Sequence, residues 1–439
     1  MINIFWIVFH VIGFLILPDF GASITLSAYL IYELVKKVSR REVFQLIDFY
    51  FLGLLITVIS NISLIYSFIS GTFLLSYNYA APDFFPLASL ILAISNQLFV
   101  VGYTMKLGFS LPKLKLPLKV SNNFILITFT AGLIFSIKGF WMNVALPGAF
   151  QSLISLAPLV AIFVLSRFAG KLNYSFLFRR AVALAIFSSF NALLFSYLRV
   201  EILLPFIVLI LGFYLGANSL KPFFTISFVP IAIAIAFFFS IFELLGSYRE
   251  NISTGFARLG QLNELYYSQN AVNEDPEYKL SAFDRSSNLA QLSAAVDLVD
   301  NYGPYQGEAS APLLVAFIPR FLWPEKPKIA LGVWYALELG VAIEVDDWFN
   351  NSVNMTIPGQ LYLDFGWIGL IIGSIFTGIL LQLLWKATDF YSPTFNLLGT
   401  FYGVYLLFSA FTGIGADLQI FVTFIAVYLI LLVISLVKP

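Results

Sequence analysis

The chain contains no cysteine, and its only histidine is His10. The first absence excludes thiol nucleophiles, disulfides, thiolate metal sites and iron–sulfur clusters, and the second excludes a histidine-rich metal centre. Charge is scarce too: Asp, Glu, Lys and Arg make up 11% of the 439 residues, against roughly a quarter in an ordinary soluble chain. The signs balance, 24 basic against 24 acidic residues, so nothing in the bulk charge favours nucleic acid or another polyion. Apolar surface takes the place of charge. Hydrophobic residues are 60% of the chain, aromatic residues 18%, and the mean hydropathy is +0.90. A soluble fold of this length cannot bury so much, so lipid must be the solvent over most of the chain.

Apolar stretches of roughly 16–25 residues recur, close to the ~20 that cross a bilayer as a helix. They lie at 2–17, 20–36, 45–69, 84–105, 122–140, 146–166, 180–197, 199–217, 222–245, 357–385, 394–413 and 417–437. This pattern predicts an all-α polytopic membrane protein with about 12 transmembrane helices. The first two stretches are short and meet at Pro18-Asp19. A tight hairpin there gives 12 spans and one bent helix gives 11. No basic segment precedes the first stretch and no small-x-small cleavage pattern follows Leu17, so 2–17 reads as a retained span.

The distribution of Lys and Arg sets an orientation. With the N-terminus in the cytoplasm, the inner connections carry fifteen, among them Lys36, Lys37, Arg40, Arg41, Arg179 and Arg180. The short outer connections carry only Lys138 and Arg199. The expectation is a bacterial inner-membrane protein with both termini inside and a large loop outside. Three regions follow: a membrane bundle of about nine spans at 1–245, an extracytoplasmic loop at 246–356, and a bundle of three spans at 357–439. The loop holds 14 of the 24 acidic and 7 of the 24 basic residues. Inside it, Leu289, Leu292, Val296 and Val299 repeat at helical spacing between the cap candidates Ser286 and Ser287 and the stop Gly303. A second short helix is expected over 331–342.

The chemistry is expected in that loop. Pro319-Arg320-Phe321-Leu322-Trp323-Pro324-Glu325-Lys326-Pro327 packs three prolines into nine residues, which forbids a regular helix and fixes φ at each proline. The apolar run Leu313–Ile318 before it is too short to span and reads as an interfacial dip. Arg320 and Lys326 then lie at headgroup depth, either as an interfacial anchor or as a phosphate site. Arg249, Arg258 and Arg285 are further cations able to join an anion site facing the bilayer. Carboxylates are abundant: Asp284, Glu308, Glu325, Glu338, Glu344, Asp346 and Asp347 in the loop, and Asp364 inside the next apolar stretch. An acid within a span is costly and marks a site by default. The glycines of 359–378 do not make a phosphate loop, because the strand and the Lys-Ser/Thr pair are missing.

The segment 319–327 resembles the PR-x-x-W-P-x-K-P signature of bacterial oligosaccharide repeat-unit polymerases of the Wzy type. Arg285 with the helix after it, Gly307-Glu308, Pro358-Gly359 and Asp364-Phe365-Gly366-Trp367-Ile368-Gly369 resemble the flanking features of that family, so the likeness covers about residues 285–370. The resemblance implies a GT-C-like architecture and a glycosyltransferase acting in O-antigen, capsule or exopolysaccharide synthesis. Its donor and acceptor would be undecaprenyl-diphosphate-linked glycans, with membrane lipids and a chain-length regulator protein as further partners. No cofactor, metal or nucleic acid is expected. Under this resemblance Arg320 and Arg285 hold the donor diphosphate, Lys326 supports them, Arg258 serves the acceptor, and the base is one of Glu308, Asp284 and Asp364. An O-antigen ligase is the nearest alternative, although that family is associated with a loop histidine that is absent here. A polysaccharide transporter or flippase is the alternative of another class.

Overall fold

The computed structural model describes residues 2–40, 42–71, 79–116, 121–137, 140–141, 148–172, 175–195, 200–217, 287–316, 318, 323, 325–326, 330–345, 348–349, 352–391, 396–412 and 417–436. The expected span 222–245 and the loop residues 246–286 lie outside them. The described chain is helical, apart from a two-residue ladder pairing Glu344–Val345 with Trp348–Phe349. Among the described residues five helices are long and apolar enough to cross a membrane, and four shorter apolar ones accompany them. Large apolar side chains remain exposed along entire helix faces, such as Phe5, Ile12 and Leu15 near the N-terminus and Leu429 and Val433 near the C-terminus. Contiguous apolar exposure on that scale would be costly in water and costs nothing in lipid.

Contacts divide the chain into two compact units that cut across its linear order. Unit 1 comprises 1–114, 280–390 and 406–439, and unit 2 comprises 115–279 and 391–405. Unit 2 is built on α5 (Asn122–Ser136), α6 (Gly148–Leu172), α7 (Ser175–Phe195) and α8 (Val200–Ala217). Small residues bring α6 and α8 together, and a Cβ at Gly216 would sit 2.1 Å from the Arg167 carbonyl. This is how helices associate in lipid, where packing replaces the hydrophobic drive.

Unit 1 begins with α1 (Ile2–Ile16) and α2 (Gly21–Ser39). They form the tight hairpin, not one bent helix: Gly13 abuts Gly21, and His10 Nδ1 reaches Thr25 Oγ1 at 2.9 Å. Thr25 donates to the Gly21 carbonyl and Gln97 donates to His10 Nε2, so a ring protonated on Nδ1 has both of its nitrogens satisfied. His10 is therefore a helix-packing residue.

After α3 (Leu46–Ile69), a 3₁₀ turn at Pro82–Phe84 opens α4 (Phe85–Thr104). The predicted loop helix is present as α9 (Leu289–Tyr302), which Gly303 ends at φ 76°. It is buried nearly all round, packed on α4 and on the helix at Ile357–Thr388, and not a free-standing polar segment. Its Ala and Ser residues permit that approach. Ser293 Oγ accepts from the Ala81 N–H, and Ser287 Oγ donates to Asn61 Oδ1 at 2.8 Å. The short helix α10 (Ala311–Leu314) follows, and α11 (Leu331–Glu338) is the second expected loop helix, four residues shorter than predicted. Tyr335 of α11 is fully buried and donates to the Gln291 carbonyl.

The next element, α12 (Ile357–Thr388), is continuous by length but broken at Phe365 and Gly366. Gly366 takes φ 58°, ψ −142°, a region open in practice only to glycine. The chain folds back there. A Cβ at Gly369 would lie 2.3 Å from the Leu361 carbonyl, and one at Gly373 would strike the Leu361 side chain. In a straight helix, Leu361 and Gly373 would stand about 18 Å apart. The element is thus a hairpin, with a short limb at 357–364 and a long limb at 367–388. The long limb alone measures about 33 Å, enough to cross the hydrocarbon core. Unit 1 closes with the later part of α13 (Leu397–Thr412) and with α14 (Gln419–Leu436).

The long limb packs on α4 through paired glycines, where a Cβ at Gly378 would fall 2.1 Å from the Phe99 carbonyl. Gly378→Ala is expected to lower stability by about 1–3 kcal/mol, read as a fall in Tm of the purified protein. Gly108→Ala, where nothing lies within 4 Å, should change it by less than about 0.5 kcal/mol.

Candidate functional site

The site grows from the hairpin turn. A helix end leaves carbonyls without partners, and lipid supplies none. At the end of the short limb the segment 304–310 supplies one: the Tyr305 N–H donates to the Leu363 carbonyl at 2.9 Å. Gln306 and Gly307 then bend the chain at φ 54° and φ 96°. Gly307 is required for space as well, because a Cβ there would meet the Phe365 ring at 2.9 Å. Pro304 packs on Gly366. Turn and hairpin therefore cap each other.

Asp364 is the centre of this contact. It is 1% exposed and accepts hydrogen bonds from the Ala309 N–H at 2.9 Å and from the Ser310 hydroxyl. Gln360, one helical turn earlier, donates to the Ala309 carbonyl and to Ser310 Oγ, while its own carbonyl accepts from the Leu418 N–H at 2.8 Å. One network thus joins the short limb, the turn at 304–310 and the start of α14. Among the described residues no cation pairs with Asp364.

The carboxylate beside it behaves differently. Glu308 is exposed on the turn that Asp364 braces, and its N–H is held by the Tyr305 carbonyl. Tyr305 donates its hydroxyl to Glu338 of α11 at 3.0 Å and meets Trp334 edge to face. Partial burial and the Glu338 carboxylate push the Tyr305 pKa up to about 12, so this hydroxyl stays a donor at neutral pH. The outcome is a rigid, carboxylate-bearing, aromatic surface. Beneath it lies an apolar core that includes Leu298, Ala309, Leu331, Tyr335 and Leu363.

Lys326 is 9% exposed, and its ammonium donates to the carbonyls of Ala316 at 2.7 Å and Ile318 at 3.0 Å. These two contacts tie Lys326 to carbonyls ten and eight residues upstream. Trp323 and Leu314 are exposed apolar side chains on the same stretch. Glu325 is exposed. Arg320, Arg285, Asp284 and Arg258 lie outside the described residues, as do Arg249, Asp346 and Asp347. Of the expected site residues, the structure thus brings Glu308 and Asp364 together and gives Lys326 a bracing contact. Ser310 and Gln360 join the network with no mark in the sequence beyond the position of Gln360 one turn before Asp364.

Asp364→Ala strands the Ala309 N–H and the Ser310 hydroxyl, at about 1–3 kcal/mol for each buried group. The expected result is faster hydrogen exchange across 304–310, with Asp364→Asn retaining most of the protection through its carbonyl. Unchanged exchange in Asp364→Ala would mean that the turn is held by other contacts. Comparison with known proteins brings no further guide, since no family model, curated protein or solved structure matches the chain.

Proposed function

We propose that this protein is a glycosyltransferase of the Wzy polymerase type, joining lipid-linked glycan repeat units at the outer face of the bacterial inner membrane. The observation that carries the reading is Glu308, an exposed carboxylate on a turn fixed by the buried Asp364 network. General-base catalysis needs a carboxylate held within reach of the attacking hydroxyl. A turn tied to a membrane hairpin gives that placement to a substrate anchored in the bilayer. The signature segment 319–327 supplies the cationic partner.

In this scheme a sugar hydroxyl of the incoming unit attacks the anomeric carbon of the growing chain. The bond to the lipid diphosphate breaks as the glycosidic bond forms, and Glu308 takes the hydroxyl proton. Arg320 and Arg285 meet the charge that develops on the leaving diphosphate, and Arg258 holds the acceptor. Lys326, in support of them, is held by its contacts with the Ala316 and Ile318 carbonyls. Asp364 positions Glu308 and is not the base, since its oxygens are already engaged. No nucleotide enters the reaction.

A transport reading has one specific observation in its favour. Broken helices and polar groups inside a bundle are features of secondary transporters, and the α12 hairpin is a broken helix. The two readings separate in detergent, where no compartment exists. Purified protein given undecaprenyl-diphosphate-linked repeats should produce a ladder of longer glycans without nucleotide sugar, and a transporter would leave single repeats. Glu308→Gln should cut ladder formation by about 10²–10⁴-fold, the usual worth of a general base. Arg320→Ala should abolish the ladder while leaving expression intact. Transfer of a single unit to a different acceptor would favour the ligase.

A further inference from the structure

Halfway along the hairpin lies a cavity that the outer site does not use. Ile357 and Pro358 begin the short limb and close one wall, and Thr377 of the long limb, Tyr50 of α3, and Asn96 and Phe99 of α4 form others. The centre of a water molecule can range over about 30 Å³ inside it. A single water needs roughly 10–15 Å³ by that measure, so the space fits about two.

The polar group facing this space is Asn96. It is 1% exposed, and neither its Nδ2 nor its Oδ1 has a hydrogen-bond partner among the described residues. The hydroxyls of Ser95 and Thr377 are occupied. Ser95 Oγ is bonded to Ser374 Oγ at 2.8 Å, and Thr377 Oγ1 donates to the Ser374 carbonyl at 2.9 Å. Among the described residues the opening turn of the short limb has one donor without a partner as well. Pro358 has no N–H, that of Gly359 goes to Thr356 Oγ1, and that of Gln360 goes to the Thr356 carbonyl, which leaves Ile357. Through the Asn96 amide the wall presents unmatched N–H donors and an unmatched acceptor, with no charged side chain lining it.

That combination selects the occupant. A cation would satisfy Oδ1 and leave the donors unmet, while an anion would do the reverse, and either would be desolvated without a countercharge. Water serves both at once. We propose that this cavity is an internal hydration site holding about two waters, which bridge Asn96 to the start of the short limb and brace the Gln360–Asp364 network from beneath. An unsatisfied amide this deep would otherwise be a standing penalty.

X-ray radiolytic hydroxyl labelling of the full-length protein in nanodiscs, read by mass spectrometry, tests this directly. Radicals form where water is bound, so Phe99 reports on the cavity, and Phe51 of α3, also buried but not among the lining side chains, is the dry control. Phe99 should be modified several-fold faster than Phe51. Asn96→Leu, which replaces the amide with an apolar side chain, should bring Phe99 down to the Phe51 level in protein that stays monodisperse. Equal labelling of the two in the wild type overturns the proposal, and that comparison stands whether or not the variant folds. Undiminished Phe99 labelling in a folded Asn96→Leu protein overturns it too. Neither readout depends on glycan transfer, so the proposal and the polymerase reading fail separately.

Discussion

Breaking a helix at Phe365-Gly366 frees backbone groups that lipid cannot satisfy, and much of unit 1 is arranged to meet that demand. The Tyr305 N–H takes the Leu363 carbonyl, and Thr356 caps the other end of the short limb. The side chains Asp364 and Gln360 then bond outward to the turn that does the capping. In water any of these bonds would be a modest contribution. At the edge of a membrane the alternative is an unpaired group, and the bonds become obligatory. The hairpin and the turn at 304–310 are therefore one structural object, which is why an apolar helix dictates where Glu308 stands.

Close packing by small side chains makes the arrangement possible. Gly369 and Gly373 let the short limb lie against the long one, and Gly102 and Gly378 let the long limb lie against α4. Within lipid no hydrophobic force draws helices together, and the gain comes from dispersion contacts and from polar pairs such as Ser95 with Ser374. The helix α9 follows the same logic on the loop side. Its Ala and Ser residues allow it to sit against α4 and α12, so loop and bundle share an interior.

Part of the site was legible because it rests on local rules. Asp364 stood out as an acid within an apolar stretch, and Gly303 as a helix stop after a repeat at helical spacing. Lys326 was legible as a cation in a proline frame, yet its contact with two carbonyls eight and ten residues upstream follows from how the segment folds over itself. Ser310 lies 54 residues from Asp364, and no local pattern announces a pairing at that separation. Asn96 did carry a signal. Ser95-Asn96-Gln97 places three polar residues in the middle of an apolar stretch, and each has a separate fate: Ser95 meets Ser374, Gln97 meets His10, and Asn96 faces the cavity.

By itself the sequence determined the solvent, the all-helical class, the positions of most described helices and the loop as the place of the polar groups. Those properties follow from apolar content, run length and spacing, which add up along the chain without reference to distant residues. Tertiary structure alone decided that residues 2–39 form a hairpin, that 357–388 is a hairpin and not one span, and that α9 is buried. It also decided which carboxylate is exposed and which is enclosed. Each of these depends on whether two surfaces far apart in sequence can approach within a few ångströms. That is settled by the shape of both partners together, as when the missing side chain of Gly373 admits Leu361.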